Sequence, residues 1–431
     1  MRLVIRSFKR VPTHQLMSVR LANRLCIWGL IAVIASIAWG KTLLHPSRLS
    51  TPSQMGDYSM FIDFAKQTCE HLQYPPSFAY PVPAVLMWRF FGSLNFTLGA
   101  LVWLLILPTG MIASMLLTGL LSSDSKKYRG LIMALAFAAA EYYLIWDLRA
   151  INTNSCYLLL VMLGCWCWHK DQKIWAGVLL GGSVALKFYS VVFLGYLILR
   201  KEWRIGMAMA ASILVFFIGV PVCVLGLQDT VLLNSEWIKR ISSASNSNFF
   251  LTYRAYKVSL NWVALVLLNP DLSAGKLNIF NCSIDMVAAV VRFFCAAWTL
   301  LVAGYFLSTQ LLKPGQVIAR LAFVLDISVL LFCPFPASPI LEPHHLVVMV
   351  VPAIALICIT FDTNFSARFR FIAGLTVAIG ACLTEFGPHY PLRGVGVMLA
   401  LLVYLIGIWT LRYFAFGQPC EPSKISASTL C

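Results

Sequence analysis

SVALKFYSVVFLGYLILRKEWR, residues 183–204, holds a single lysine, Lys187, inside an apolar run that begins near Ile174 and ends in the charged cluster at 200–204. An ammonium at bilayer depth costs at least ~2.5–3.5 kcal/mol on insertion scales, so a chain that keeps one there has a use for it. If 174–200 is one crossing helix, the basic loops HKDQK (169–173) and RKEWR (200–204) fall on opposite sides, against the preference of basic loops for the inner face. A hairpin bent at Lys187, Phe188 and Tyr189 keeps both loops inside. Each arm is then about 13 residues, or ~20 Å, which enters a ~30 Å hydrocarbon core without crossing it. Such a tip is tolerated only where protein buries it or where it lines a wet cavity. Lys187 is therefore expected on the wall of a cavity that opens outward.

The rest of the chain supplies the membrane. Of 431 residues, 60% are hydrophobic and 12% charged, where a soluble domain carries roughly 25% charged. Long uncharged stretches such as 95–121 suit helices, not the weak alternation of a membrane barrel. The expected fold is all-α and polytopic. The net charge of +16 lies mostly in short loops between spans, so anionic lipid headgroups are the expected counter-charge and nucleic acid is not an expected partner. The 13 cysteines fall mostly within apolar runs and read as small hydrophobes, and Cys165 and Cys167 have no zinc-site spacing.

Placing basic loops inside closes the parity of the chain. Residues 1–22 form a basic inner segment with no acid, followed by an uncleaved signal-anchor over 23–40. Residues 23–413 form the membrane domain, with external loops at 41–80, 227–283 and 334–345, and 414–431 is an inner polar tail. Ten full crossings are expected: 23–40, 95–121, 130–146, 155–168, 205–226, 284–310, 317–333, 346–361, 370–384 and 394–413. The hairpin adds a re-entrant element, 81–92 a half-buried outer helix, and 256–268 a piece that dips into the interface.

The external segments hold most of the non-basic polar residues. Asp57 and Asp63 lie in the first, Asn152 and Asn154 follow Asp147 and Arg149, Arg254 lies in the stretch 234–254, and Glu342 precedes His344 and His345. A carboxylate, amides, cations and imidazoles on one side suit proton abstraction beside an anionic leaving group. Each has a plainer reading: a solvated Asp57, or Asn152 and Asn154 as caps of the helix at 155–168. Paired histidines need a third ligand to hold a metal, and although Glu342 stands nearby, no metal and no cofactor are expected. Asp326, mid-span in VLDISVLL, needs a partner, with Lys187, Arg149 and Arg320 as candidates.

In chain order, these clusters resemble glycosyltransferase family 87, membrane enzymes of the GT-C fold. The matching pieces over 56–352 are GDYSMFIDFAKQ, YPPSFAYPVPAVLMW, INTNSCYLLLVML, AGVLLGGSVALKFYSVVFLGYLILRKEWR and SPILEPHHLVVMVVP. The chain departs from the family pattern at Ile151 for glycine, Asn152 for glutamine, Phe188 for proline and Glu342 for tryptophan. The resemblance implies an inverting transfer of mannose or a related hexose or pentose from a polyprenyl-phosphate carrier to a glycolipid or glycan acceptor. It implies Asp57 as general base and Lys187 at the departing phosphate. Arg254 and His345 would help at the donor, with His344, Asn152, Asn154 and Glu342 at the acceptor or orienting the base. The site would face outward from the inner (plasma) membrane, with the N-terminus cytoplasmic. The competing class is a transporter or flippase of lipid-linked saccharides using Lys187 and Asp326 as a charged path. A structural or assembly protein is the third.

Overall fold

The computed structural model describes residues 13–44, 55–75, 80–123, 128–243, 258–269, 279–311, 320–338, 341–385 and 390–415. Sixteen α-helices make up almost all of these residues, and no strand is present among them. They are α1 (Thr13–Leu44), α2 (Asp57–His71), α3 (Val82–Ser93), α4 (Phe96–Ser122), α5 (Arg129–Ala150), α6 (Asn154–His169), α7 (Lys173–Leu186) and α8 (Val192–Leu199). There follow α9 (Trp203–Leu225), α10 (Leu227–Ser243), α11 (Leu260–Leu268), α12 (Ile284–Leu311), α13 (Arg320–Phe332), α14 (Val350–Phe361), α15 (Ala367–Thr384) and α16 (Tyr390–Phe414).

Eight of the ten expected crossings are helices long and apolar enough to span a membrane, α14 together with the 3-10 segment Pro343–Met349 that leads into it, so the protein is an all-α, multi-pass membrane protein. Side chains such as Trp28, Phe293 and Leu300 stay largely exposed on their outer faces, as lipid contact requires. Of the other two expected crossings, α6 has 16 residues and α13 has 13 among the described residues, which resume at Arg320. The brevity of α6 has a local cause: the chain at 151–153 leaves the helix to build the site described below. The segment 81–92 is α3, one of the short helices, and it is more buried than the half-buried helix expected: Val82, Val85, Trp88 and Phe91 all face protein. The apolar piece of 256–268 is α11, packed against α16 and α12.

The hairpin is present. Lys187 is extended (φ −142°, ψ 113°) between α7 and a 3-10 turn, Phe188–Val191, that leads into α8. Lys173 and Glu202 form an ion pair at 3.4 Å, which puts both basic loops at one end of the bundle. On the far side of α7, a Cβ on Gly177 would lie 2.5 Å from the Ala208 Cβ and the Ile205 carbonyl oxygen, and one on Gly181 would lie 2.6 Å from Ser212. Two glycines four apart thus let α7 and α9 touch backbone to backbone, running parallel, as small residues do in membrane bundles. With 14 residues, α7 rises ~21 Å from the basic end and stops inside the bundle.

Asp326 does not pair with Lys187, Arg149 or Arg320. Its carboxylate accepts from Arg412 Nε (3.1 Å) and from the hydroxyls of Tyr305 (2.6 Å) and Tyr196 (2.9 Å). One buried carboxylate therefore ties α8, α12, α13 and α16 together, each of its partners a strong donor. The sequence reading missed Arg412 because 86 residues separate it from Asp326.

Candidate active site

The turn at 151–153 anchors the site. α5 ends at Ala150, Ile151 adopts a left-handed conformation (φ 59°, ψ 44°), and its N–H bonds the Asp147 carbonyl at 3.1 Å. A β-branched residue pays roughly 1–2 kcal/mol in this region, which explains why glycine would suit the position. The Trp103 indole fixes the turn by donating to the Ile151 carbonyl (3.3 Å), and Trp103 itself packs on Trp88 and Phe91. That aromatic cluster extends through Tyr58 and Phe61 of α2 to Tyr80. Asp57 is the first residue of α2, and Gly56 before it has φ 56°. A Cβ on Gly56 would lie 2.9 Å from the Ala150 carbonyl oxygen, so glycine lets the start of α2 press against the end of α5.

From these supports one hydrogen-bonded line runs across the site. Lys187 Nζ donates to the Tyr80 hydroxyl (2.7 Å) and lies 4.4 Å from its ring centre. Tyr80 donates to Asn152 Oδ1 (3.0 Å), which also accepts the Thr153 N–H (2.7 Å). Asn152 Nδ2 donates to Asp57 Oδ2 (2.6 Å) and bonds His344 Nε2 (3.1 Å). The amide can sit only one way round, because a reversed amide would aim its oxygen at the Asp57 carboxylate. It follows that His344 accepts at Nε2 and carries its proton on Nδ1, which faces Glu342 Oε2 at 3.5 Å. Every donor along the line points from the Lys187 cation toward the Asp57 carboxylate.

Asp57 keeps part of its surface exposed, while protein atoms crowd its carboxyl group. That burial pushes the carboxyl up to about 7; the Asn152 bond opposes the shift, Glu342 adds to it, Lys187 opposes it, and Asp147 adds to it. The carboxyl is thus poised near neutrality, where a general base works best. Behind the line, buried Asp147 holds Asn154 Nδ2 (2.9 Å) and Ser155 Oγ (2.5 Å). Asp147, Asp57 and Glu342 are the carboxylates that balance the Lys187 charge.

Of the expected site residues, the structure gathers Asp57, Asn152, Lys187, His344 and Glu342. Asn154 turns away to Asp147, and neither asparagine side chain caps α6, whose N-cap is Thr153. His345 lies beside His344 (ring centres 4.5 Å), with its Nδ1 accepting the Glu342 N–H (3.0 Å) in a capping box. Arg254 lies outside the described residues. Two members went unrecognised in the sequence: Tyr80 and Asp147. Tyr80 sat in the quoted stretch YPPSFAYPVP without a role of its own, and Asp147 is seven residues from the asparagine it holds.

The sequence model of glycosyltransferase family 87 matches residues 78–334, more than half of the chain. The chain belongs to glycosyltransferase family 87. No curated protein and no solved structure matches it. The matched stretch of this membrane glycosyltransferase includes Tyr80, Asn152 and Lys187 and stops short of Asp57 at one end and His344 at the other. The fold returns both to the same few ångströms, through the two N–H bonds of Asn152.

Proposed function

We propose that the glycosyltransferase takes a sugar, mannose or a related hexose or pentose, from a polyprenyl-phosphate carrier and transfers it with inversion to a hydroxyl of a glycolipid or glycan acceptor. The observation that carries this reading is the directed line Lys187–Tyr80–Asn152–Asp57, with a cation at one end and a carboxyl whose proton affinity burial raises at the other. Asp57 removes the proton from the acceptor hydroxyl as its oxygen attacks C1 of the sugar from the face opposite the phosphate. The C1–O bond to the phosphate breaks, the electron pair leaves with the carrier phosphate, and the Lys187 ammonium meets the charge that grows there. Asn152 aims the Asp57 carboxylate, and His344, held in one tautomer, orients Asn152 or the acceptor. His345 and Arg254 assist at the donor phosphate.

In this reading the site faces outward from the plasma membrane, with the N-terminus inside, because the basic loops at 169–173 and 200–204 share the end opposite the site. A charged path for a flippase through Lys187 and Asp326 finds no support, since Asp326 is fully engaged by Arg412 and two tyrosines. The test is Asp57→Asn in purified protein given labelled polyprenyl-phosphate mannose and total membrane acceptors. Transfer should fall by at least about 10³-fold with thermal unfolding unchanged. Retention of full transfer would remove Asp57 as the base.

A further inference from the structure

The backbone at the hairpin tip is one that its own residues do not enforce. The Lys187 N–H still bonds the Ser183 carbonyl (2.9 Å) as in a continuing helix, and α7 stops because Lys187 turns extended (φ −142°, ψ 113°) before the 3-10 turn that starts at Phe188. Extended backbone is what a following proline favours, and the first position of a helical turn is where a missing N–H costs least. Phenylalanine stands there instead, and Leu186, Lys187, Phe188 and Tyr189 are all residues that a helix tolerates. A return of Lys187 to a helical φ would turn its Cβ through ~80° and carry the ammonium off Tyr80.

What holds the bend acts through space. The half-exposed ring of Phe188 meets the buried indole of Trp237, in α10, edge to face with ring centres 5.2 Å apart. Trp237 is itself fixed by α9. Gly226 (φ 87°) turns the chain from α9 into α10. Pro221 has no N–H to offer the Phe217 carbonyl four residues before it, and Asn234 Nδ2 of α10 donates to that carbonyl (2.9 Å). Trp237, three residues on, packs against the Phe217 ring (5.5 Å). On the other side of the tip, the hydroxyls of Tyr189 and Ser338 share a hydrogen bond (3.1 Å), and the Tyr189 ring lies against His345 (6.2 Å). We propose that Trp237 is a positioning residue for Lys187. Through the Phe188 ring it holds the extended backbone that aims the ammonium at Tyr80, doing through space what a proline at 188 would do along the chain. The consequence for catalysis rests on the transferase reading given above, in which Lys187 meets the departing phosphate.

The experiment uses the full chain in lipid nanodiscs and reads both sugar transfer and hydrogen exchange at the Lys187 and Ser190 amides, which bond the carbonyls of Ser183 and Lys187. Trp237→Ala and Phe188→Ala should each lower kcat about tenfold with the acceptor KM unchanged. That is less than the ~10²-fold that a misplacement of about 1 Å can cost, because Tyr189 still pins one side. Both variants should speed exchange at the two amides about tenfold. Combining the two alanines should cost no more than either alone, since one contact is lost. Adding Phe188→Pro to Trp237→Ala should bring kcat back to within about threefold of the parent and restore protection at both amides, a rescue that a general loss of packing would not show. Phe188 is partly at the surface, so Phe188→Ala decides the matter even where Trp237→Ala does not fold. Full transfer in Phe188→Ala, a loss of kcat with unchanged exchange at Lys187, or a loss in Trp237→Ala that Phe188→Pro does not relieve each overturns the proposal. Exchange needs no turnover: if Lys187→Ala keeps full transfer, the phosphate role of Lys187 fails, while exchange still decides whether Trp237 sets its backbone.

Discussion

Replacing Asn152 by alanine should move the acid limb of activity to higher pH, and replacing Glu342 by glutamine should move it to lower pH. Burial holds the Asp57 carboxyl at about 7, against the Asn152 hydrogen bond and the Lys187 charge, with Glu342 and Asp147 pushing the same way as burial. As a base, Asp57 works only when ionised, so kcat/KM should rise with pH and level off above about 7. At about one pH unit below that midpoint, ~10% of the carboxyls are ionised and the rate should be near a tenth of the plateau. A hydrogen bond to a charged group is worth roughly 1.5–3 kcal/mol, and one pH unit is about 1.36 kcal/mol, so Asn152→Ala should raise the midpoint by about one to two units. Because part of Asp57 is exposed, the lower figure is the better expectation. Glu342→Gln removes a repulsive charge and should shift the midpoint the other way by a smaller amount. The groups facing Asp57, namely Asn152, His344, Glu342, Lys187 and Asp147, are unchanged otherwise, and the midpoint can be read whatever happens to the plateau. Initial rates of transfer from labelled polyprenyl-phosphate mannose, measured across roughly pH 5 to 9, give the profiles. A flat profile in the parent protein, or the same direction of shift in both variants, would refute this account of the base.

Three further outcomes are expected. Tyr80→Phe keeps the ring packing on Phe61 but removes the hydroxyl between Lys187 and Asn152, so kcat should fall about 10- to 100-fold with melting little changed. Gly56→Ala places a Cβ 2.9 Å from the Ala150 oxygen at a positive φ; it should displace Asp57 and cut transfer at least about tenfold, read by activity alongside an intact thermal transition. Arg412→Leu strands the Asp326 carboxylate inside the bundle and should cost about 3–5 kcal/mol in unfolding measurements, much of it recovered when Asp326→Leu is added.

The hairpin was legible because it posed an electrostatic question with a parity answer. Lys187 was the one charge between two basic loops, and only a bend at that residue keeps both loops on one side; the Lys173–Glu202 pair is the structural form of that answer. Asp57 and His344 were legible as residue types in suggestive places. Their meeting was not, because it depends on a turn set by Ile151 in a conformation the residue disfavours and by a tryptophan 48 residues earlier. Tyr80 stayed hidden for a different reason: aromatic residues abound at membrane interfaces, and only the 2.7 Å hydrogen bond from Lys187 distinguishes this one. Asp326, a carboxylate at mid-span, called for a partner on sequence alone, and the structure gives it three donors and a bracing position.

That contrast separates Asp326 from Asp57 in chemical terms. Asp326 receives a guanidinium and two hydroxyls, three donors from three other helices. Asp57 receives one amide N–H from Asn152, while burial and the Glu342 charge keep its affinity for a proton near neutrality. A carboxylate held by three donors from neighbouring helices binds a fold together, and one held by a single donor in a partly open site keeps lone pairs for another group. Asn152 is what makes the difference usable. Its oxygen is held by Tyr80 and Thr153 and its nitrogen by Asp57 and His344, so the amide cannot rotate away and the remaining lone pairs of Asp57 stay directed into the site. Glutamine at 152, one methylene longer, would still carry an amide but would have to bend to make the same four contacts. Asn152→Gln is therefore a sharper probe than alanine: it should preserve the acid-limb midpoint, since a donor to Asp57 remains, while lowering kcat through a displaced carboxylate. A midpoint that moves as far as it does in Asn152→Ala would mean that the position of the amide, and not its presence, sets the proton affinity of the base.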